Sequence, residues 1–405
     1  MTGPLDRLRI FDLTRILAGP VCTQILGDLG ADVIKVERPG VGDDTRGFAP
    51  PYIRDASGTE TSESAYFSCA NRNKRSVTLD LSKPRGQDLA RQLIGKCDVL
   101  VENFKTGGLA KYGLGYDQLK DAFPGLVYCS VTGFGHTGPY AERPGYDVLI
   151  QGMGGLMSVT GEPDGAPQKS GVPVADIMAG MYAAVSINAA LRHREVTGEG
   201  QFIDIGMLDV QVALSTIVGA NYLATGEVPK RLGNAHPNIV PYQSFATADG
   251  DIILAVGNDG QFKRFCEFAG VPQLAADERY TTNAARVRNR DALLPLLEPV
   301  VAEHPSRHWL EGLEACNVSC GPINNLEQVF NDPQVKARGM RLKMAHPATG
   351  DAPVELIASP IRMSATPPSY RHAPPMLGQH TDEVLKELLD LDDDALTALH
   401  ADGVI

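Results

Sequence analysis

The feature that most restricts this chain is an alternation of short apolar runs with helical stretches through its first third. Residues 8–13 read as a strand, 20–29 as a helix and 32–37 as a second strand. A third strand spans 76–81, and Pro84 suits the first turn of a helix reaching about Lys96. Strands at 98–104 and 126–131 follow, with a short helix at 117–122 between them. Strands spaced by helices of this length predict an α/β fold with a parallel sheet covered on both faces.

Residues 177–193 form a helix that is apolar or small nearly all round, which predicts burial. After Gly198-Glu199-Gly200 comes a strand at 202–205, then one long apolar helix at 208–225 leading out of the first domain. Residues 242–256, with Asp249-Gly250 at their centre, read as a hairpin. Helices fill 260–315 and part of 325–338. The chain closes with a strand at 355–361, a proline-rich stretch at 367–375 and terminal helices. At 405 residues it is too long for one ordinary core. The expected division is a large domain over 1–200, a linker helix over 201–225, a smaller α+β domain over 226–330, and a return to the large domain over 331–405.

Hydrophobic residues make up 43% and charged residues 21%, and without a run of about 18 apolar residues no membrane span is expected. Seven scattered cysteines fit a reducing, cytoplasmic setting without a disulfide framework. Cys316 and Cys320 lack a second pair, and His304 and His308 lack the glutamate of a zinc-protease helix, so no metal is expected. A net charge of −12 argues against nucleic-acid binding. Residues 1–120 nonetheless hold 17 Lys and Arg against 15 Asp and Glu, a local balance suited to a small anionic ligand.

No phosphate loop, nucleophile elbow or dinucleotide-binding glycine pattern occurs. What remains is polar loops where strands end: Arg15, then Lys35, Glu37 and Arg38, then residues 71–76, then Glu102-Asn103-Phe104-Lys105. Ligands of open α/β sheets bind beyond the carboxyl ends of strands, and Arg or Lys there would suit phosphates. Solvated loop charges are an equal reading of the spacing. Gly171-Val172-Pro173-Val174-Ala175-Asp176 precedes the apolar helix. Asp176 reads first as an N-cap. Near the positive helix end it would also stay ionised at neutral pH, ready to attack a thioester.

Several stretches resemble class III CoA-transferases of the formyl-CoA transferase and carnitine CoA-transferase type. They run in the family's order: residues 12–20, 30–37, 73–76, 101–104, Gly145-Tyr146-Asp147, 171–176, 198–201 and 377–381. The resemblance implies a Rossmann-like large domain built from both chain ends, a smaller domain, and an interlocked homodimer. It implies CoA contacts from Arg15, Ile16, Leu17, Arg38, Arg72, Lys74, Asn103, Phe104, Lys105, Gly108 and Lys111, the last standing where formyl-CoA transferase has arginine. It assigns the nucleophile to Asp176 and a mobile glycine loop to Gly257, Gly260 and Gln261, with Tyr146 and Asp147 beside the substrate.

The chemistry so implied is CoA transfer through an aspartyl anhydride and an aspartyl-CoA thioester, with backbone N–H groups after Asp176 stabilising oxyanions. CoA and acyl-CoA are substrates, with no resident cofactor. Similarity of residues 113–116 and 145–161 to the succinate–hydroxymethylglutarate branch implies succinyl-CoA and a short dicarboxylate, with Arg15, Arg46 or Arg143 meeting the second carboxylate. An α-methylacyl-CoA racemase is the alternative, but Tyr146 stands where racemases carry histidine, and a phenol titrating near about 10 is a poor base. A non-catalytic CoA-binding relative is the third reading.

Overall fold

The computed structural model describes residues 3–405, and the chain separates into two compact units. The first combines the residues up to Gly154 with Gly171–Leu214 and Pro333–Ile405; the second combines Gly155–Ser170 with Ser215–Asp332. The second unit takes in more chain than 226–330. The helix expected over 208–225 is broken at Ser215 into Met207–Leu214 and Thr216–Thr225.

In the first unit six strands form one parallel sheet: β1 (Arg9–Asp12), β2 (Asp32–Glu37), β3 (Lys74–Thr78), β4 (Val99–Glu102), β5 (Val127–Thr132) and β6 (Phe202–Gly206). Their order across the sheet is β3-β2-β1-β4-β5-β6. Every residue of β3, β4 and β5 is buried; β4 and β5 accordingly read as continuous apolar runs, while β3 buries the charged Lys74 and Arg75. The order reverses between β1 and β4. Loops leaving those two strands diverge to opposite faces and open a crevice at their carboxyl ends.

The sheet is flanked by α1 (Ala18–Asp28), α2 (Pro84–Ile94), α3 (Asp147–Met153), α4 (Val174–Thr197), α5 (Met207–Leu214), α6 (Thr381–Leu389) and α7 (Asp393–Ala401). Small residues let α4 sit close on α1: a Cβ on Gly180 would lie 2.5 Å from the Ala18 carbonyl oxygen. By length and composition alone α4 could cross a membrane; here Ala175, Ala179, Ala183, Ile187 and Leu191 are buried in the core. It is not buried all round as expected. Met181, Tyr182 and Val185 are 46%, 42% and 67% exposed.

The C-terminal segment completes this unit. His372 and Val404 carbonyls accept from the Asn73 and Asp80 N–H groups, both at 2.8 Å, and the His380 N–H donates to the Ser76 carbonyl at 2.9 Å. Arg371 donates to the Gly27, Gly30 and Ala31 carbonyls. Val384, Leu385, Leu388, Leu396 and Leu399 pack with Leu89 and Leu93 of α2. Residues at both ends of the chain thus share one core.

In the second unit an antiparallel sheet runs in the order Ser319–Pro322, Asp251–Ala255, Tyr242–Ala246. Phe262, Phe265, Tyr280, Leu293 and Trp309 fill its core. All seven cysteines are free thiols.

Candidate active site

Beneath the crevice lies a fully buried layer of charge. Asp12, ending β1, accepts from the Thr14 N–H and from the hydroxyls of Thr14 and Thr23, with Lys74 Nζ 3.2 Å away. Lys35 Nζ donates to Asp43 Oδ2 at 2.8 Å and to the Thr14 carbonyl at 2.9 Å. Asp43 in turn accepts from the Ile16 N–H. Burial opposes its charge, yet Lys35 holds the Asp43 carboxyl at about 2. This framework supports a strained turn. Ile16 has φ +70°, a left-handed conformation that is costly for a β-branched residue.

Asn103, leaving β4, closes the floor from the other side. Its Oδ1 accepts from the Arg15 N–H at 2.9 Å and its Nδ2 donates to the Arg15 carbonyl at 2.7 Å. Two adjoining cavities open here. One, of about 640 Å³, is lined by Arg38, Leu81, Ser82 and Tyr112; the other, of about 390 Å³, by Lys105, Lys111, Arg143, Tyr146, Asp147 and Asp176. Arg15 and Phe104 line both, the guanidinium lying 5.6 Å from the ring centroid. Ile16, Leu17, Asn103 and Gly108 also line the smaller one.

The loop after β5 brings Asp147 to α4 through a crossing that only glycine permits. A Cβ on Gly133 would lie 2.5 Å from the Gly145 Cα, and one on Gly145 2.3 Å from the Gly133 Cα. Asp147 Oδ1 accepts the N–H groups of Ala175 (2.9 Å) and Asp176 (3.3 Å), while Oδ2 accepts from the buried Gln151 at 2.6 Å. Asp147 therefore caps α4 from outside the helix. Asp176, read from sequence as the cap, lies instead in the first turn, after Pro173 at the N-cap position.

This changes its charge state. Burial first, and the neighbouring Asp147 carboxylate second, push Asp176 up to about 7, not the fully ionised group expected from the helix end alone. The N–H groups expected to steady an oxyanion are also engaged, since Ile177 donates to the Pro173 carbonyl. Tyr66, overlooked in the sequence, stands close enough to feel Asp176: burial chiefly, and that charge next, raise its phenol. Thr132 and Met207 complete the wall. A TGFG run after β5 was the one sequence signal for the Gly133 crossing.

Other residues singled out in the sequence lie elsewhere. Arg72 is buried against Asp28 and the Ile357 carbonyl, and Lys74 against Asp12, Asn71 and the Pro20 carbonyl, so both heads line neither cavity. Arg46 is held by both Glu37 oxygens at 2.8 Å and by the Pro375 carbonyl, which removes it from any substrate pocket. In the second unit Gly257 and Gly260 belong to a tied-down helix start: Asn258 caps the Gln261 N–H, and the Gln261 side chain accepts from the Gly257 N–H at 2.7 Å. Among the described residues no three His, Cys, Asp or Glu side chains are grouped as metal ligands would be.

A doubly wound sheet with cations and a buried carboxylate at its switch point is the architecture of an α/β protein suited to an anionic ligand. The chain belongs to CoA-transferase family III, whose model matches residues 5–381. It is 50% identical over 385 residues to the succinate–glutarate CoA-transferase of Agrobacterium fabrum, covering 95% of this chain and 96% of that one. The human succinyl-CoA:glutarate CoA-transferase is 43% identical over 402 residues, 99% of this chain and 90% of its own. A CAIB/BAIF family protein from Brucella suis has a similar crystal structure, at 49% identity and a TM-score of 0.84, covering 96% of this chain and 100% of that one. This chain is accordingly an enzyme that transfers CoA between acyl-CoA thioesters and carboxylic acids.

Proposed function

We propose that the enzyme moves CoA from succinyl-CoA to a short dicarboxylate, glutarate foremost, through a covalent thioester on Asp176, and that it works as an interlocked homodimer in the cytoplasm. The observation that carries the mechanism is Asp176 in the smaller cavity, next to a larger one across Arg15 and Phe104. The choice of acids follows the relatives acting on succinate and glutarate. Under this reading the larger cavity takes the nucleotide end of CoA, with Arg38 and Arg15 toward its phosphates, and the thioester reaches the smaller cavity past Phe104. The homodimer would cover the apolar face of α4 and the exposed Val148 and Leu149 of α3, since such a patch marks an interface.

In the proposed cycle an ionised Asp176 oxygen attacks the succinyl carbonyl carbon, and the C–S bond breaks to give a mixed anhydride and CoA thiolate. Thiolate then attacks Cγ of Asp176 and releases succinate, leaving an aspartyl-CoA thioester. The acceptor carboxylate attacks the same Cγ and expels thiolate again. Thiolate attacks the acceptor's acyl carbon, forming the new acyl-CoA and freeing the Asp176 carboxylate. No proton is gained or lost over the cycle, so the site needs water kept out more than it needs an acid or base.

The test is intact-protein and peptide mass spectrometry after incubation with succinyl-CoA. A CoA-sized adduct on the peptide holding Asp176, discharged by hydroxylamine and absent from Asp176→Ala, is expected. CoA exchange undiminished in Asp176→Ala refutes the scheme.

A further inference from the structure

Given the proposed CoA transfer to a dicarboxylate, on which this inference rests, we infer that Arg143 is the specificity-determining residue: its guanidinium takes the far carboxylate while the near one reacts at Asp176. The smaller cavity already holds two acids, Asp147 and Asp176, and Asp176 must be charged to react. A dianionic substrate entering it needs a cation on the acid-binding wall.

The cations lining that cavity are Arg15, Lys105, Lys111 and Arg143. Arg15 is engaged, with Nη1 2.9 Å from Asp44 Oδ2 and its head by Phe104. Lys111 belongs to the stretch that leaves β4, away from the wall carrying Asp147, with its ammonium 4.6 Å from the Tyr112 ring centroid. Lys105 stands on the same loop, next to Phe104. Arg143 belongs to the other wall, with Pro144, Gly145, Tyr146 and Asp147.

Its setting leaves the charge open to a ligand. The guanidinium lies 4.6 Å from the Tyr140 ring centroid, and among the described residues no carboxylate forms an ion pair with it. Its main chain is fixed: the Arg143 N–H donates to the Tyr140 carbonyl at 2.9 Å, and Thr106 Oγ1 donates to the Ala141 carbonyl at 2.7 Å. Two residues later Gly145 is locked against Gly133, and Asp147 is locked to the start of α4. A short, anchored stretch therefore fixes the main chain of Arg143 relative to the start of α4, which carries the nucleophile. A planar fork suits the second carboxylate of a diacid, which it can take with two parallel hydrogen bonds.

The test lets equal amounts of glutarate and pentanoate compete as acceptors from succinyl-CoA, and reads glutaryl-CoA against pentanoyl-CoA by mass. Both acids attack Cγ of the same aspartyl-CoA thioester, so the product ratio reports recognition of the far carboxylate alone. Arg143→Met is expected to lower the ratio about 100-fold while still forming pentanoyl-CoA, and Arg143→Lys to fall between. A ratio unchanged in Arg143→Met overturns the proposal, and so does loss of both products in that variant, since the residue then serves something the two acids share. If the wild-type enzyme forms neither CoA ester, the dicarboxylate reading fails first, and the role of Arg143 falls with it.

Discussion

Asp176 has to be charged to attack, and its surroundings resist the charge. With its carboxyl near about 7, the ionised fraction grows through neutrality, so kcat/KM is expected to rise between about pH 6 and pH 8 and then level off. Asp147 contributes to that resistance, so Asp147→Asn is expected to move the rising limb to lower pH, as a pH–rate profile would show. The same group bears on stability with a definite sign. A carboxyl raised above its value in the unfolded chain costs stability once ionised: nothing below about pH 4, the full amount above pH 7. Asp176→Asn should therefore abolish transfer yet raise the melting temperature at pH 8, on the order of 1–3 °C, with no gain at pH 4. Calorimetry at the two pH values checks it. Reactivity here is held against the fold's own preference.

At the level of elements, the site depends on two arrangements that tolerate little change. Gly133→Ala or Gly145→Ala puts a methyl group into the other loop's backbone and displaces Asp147 from α4. A loss of about 1–3 kcal/mol in urea unfolding is expected, with a larger fall in kcat than in KM for the acyl-CoA. Lys35→Met leaves Asp43 charged and unpaired beneath the Ile16 turn, at a cost of about 3–5 kcal/mol. In the wild type the contribution of Asp43 is present above about pH 4 and lost as the pH falls toward 2. β1, β2, β4 and β5 were legible because both their faces are buried; the expected 32–37 is β2 as found and the ends of β1 and β5 moved by one residue, whereas β3, expected at 76–81, begins at Lys74 and ends at Thr78 because its first residues are charged. Partners were not legible. Whether Arg72, Lys74 and Arg46 face solvent, ligand or an acid depends on sheet order, which sets Asp28, Asp12 and Glu37 beside them. Nor could spacing show that the cap of α4 comes from Asp147, on a different element.

For the molecule as a whole, the exposed Met181, Tyr182 and Val185 on α4 predict association. Sedimentation should give a dimer at micromolar concentration, and Val185→Asp should shift it toward monomer and lower activity. The division of the chain was only partly visible, because 155–170 is a polar, glycine-bearing stretch with no periodicity to assign it to the second unit. Finally, the lock between β3 and residues 372–404 has a consequence for biosynthesis. β6 leaves the ribosome roughly 170–200 residues ahead of the segment 372–404, so the edge of β3 and the α2 face of the sheet wait unsealed for that segment. At about 5–20 residues per second that delay is roughly 10–40 s. During it, chaperone capture competes with folding, and a stop codon at the start of α7 should leave nascent protein that is degraded rather than a slightly weakened enzyme.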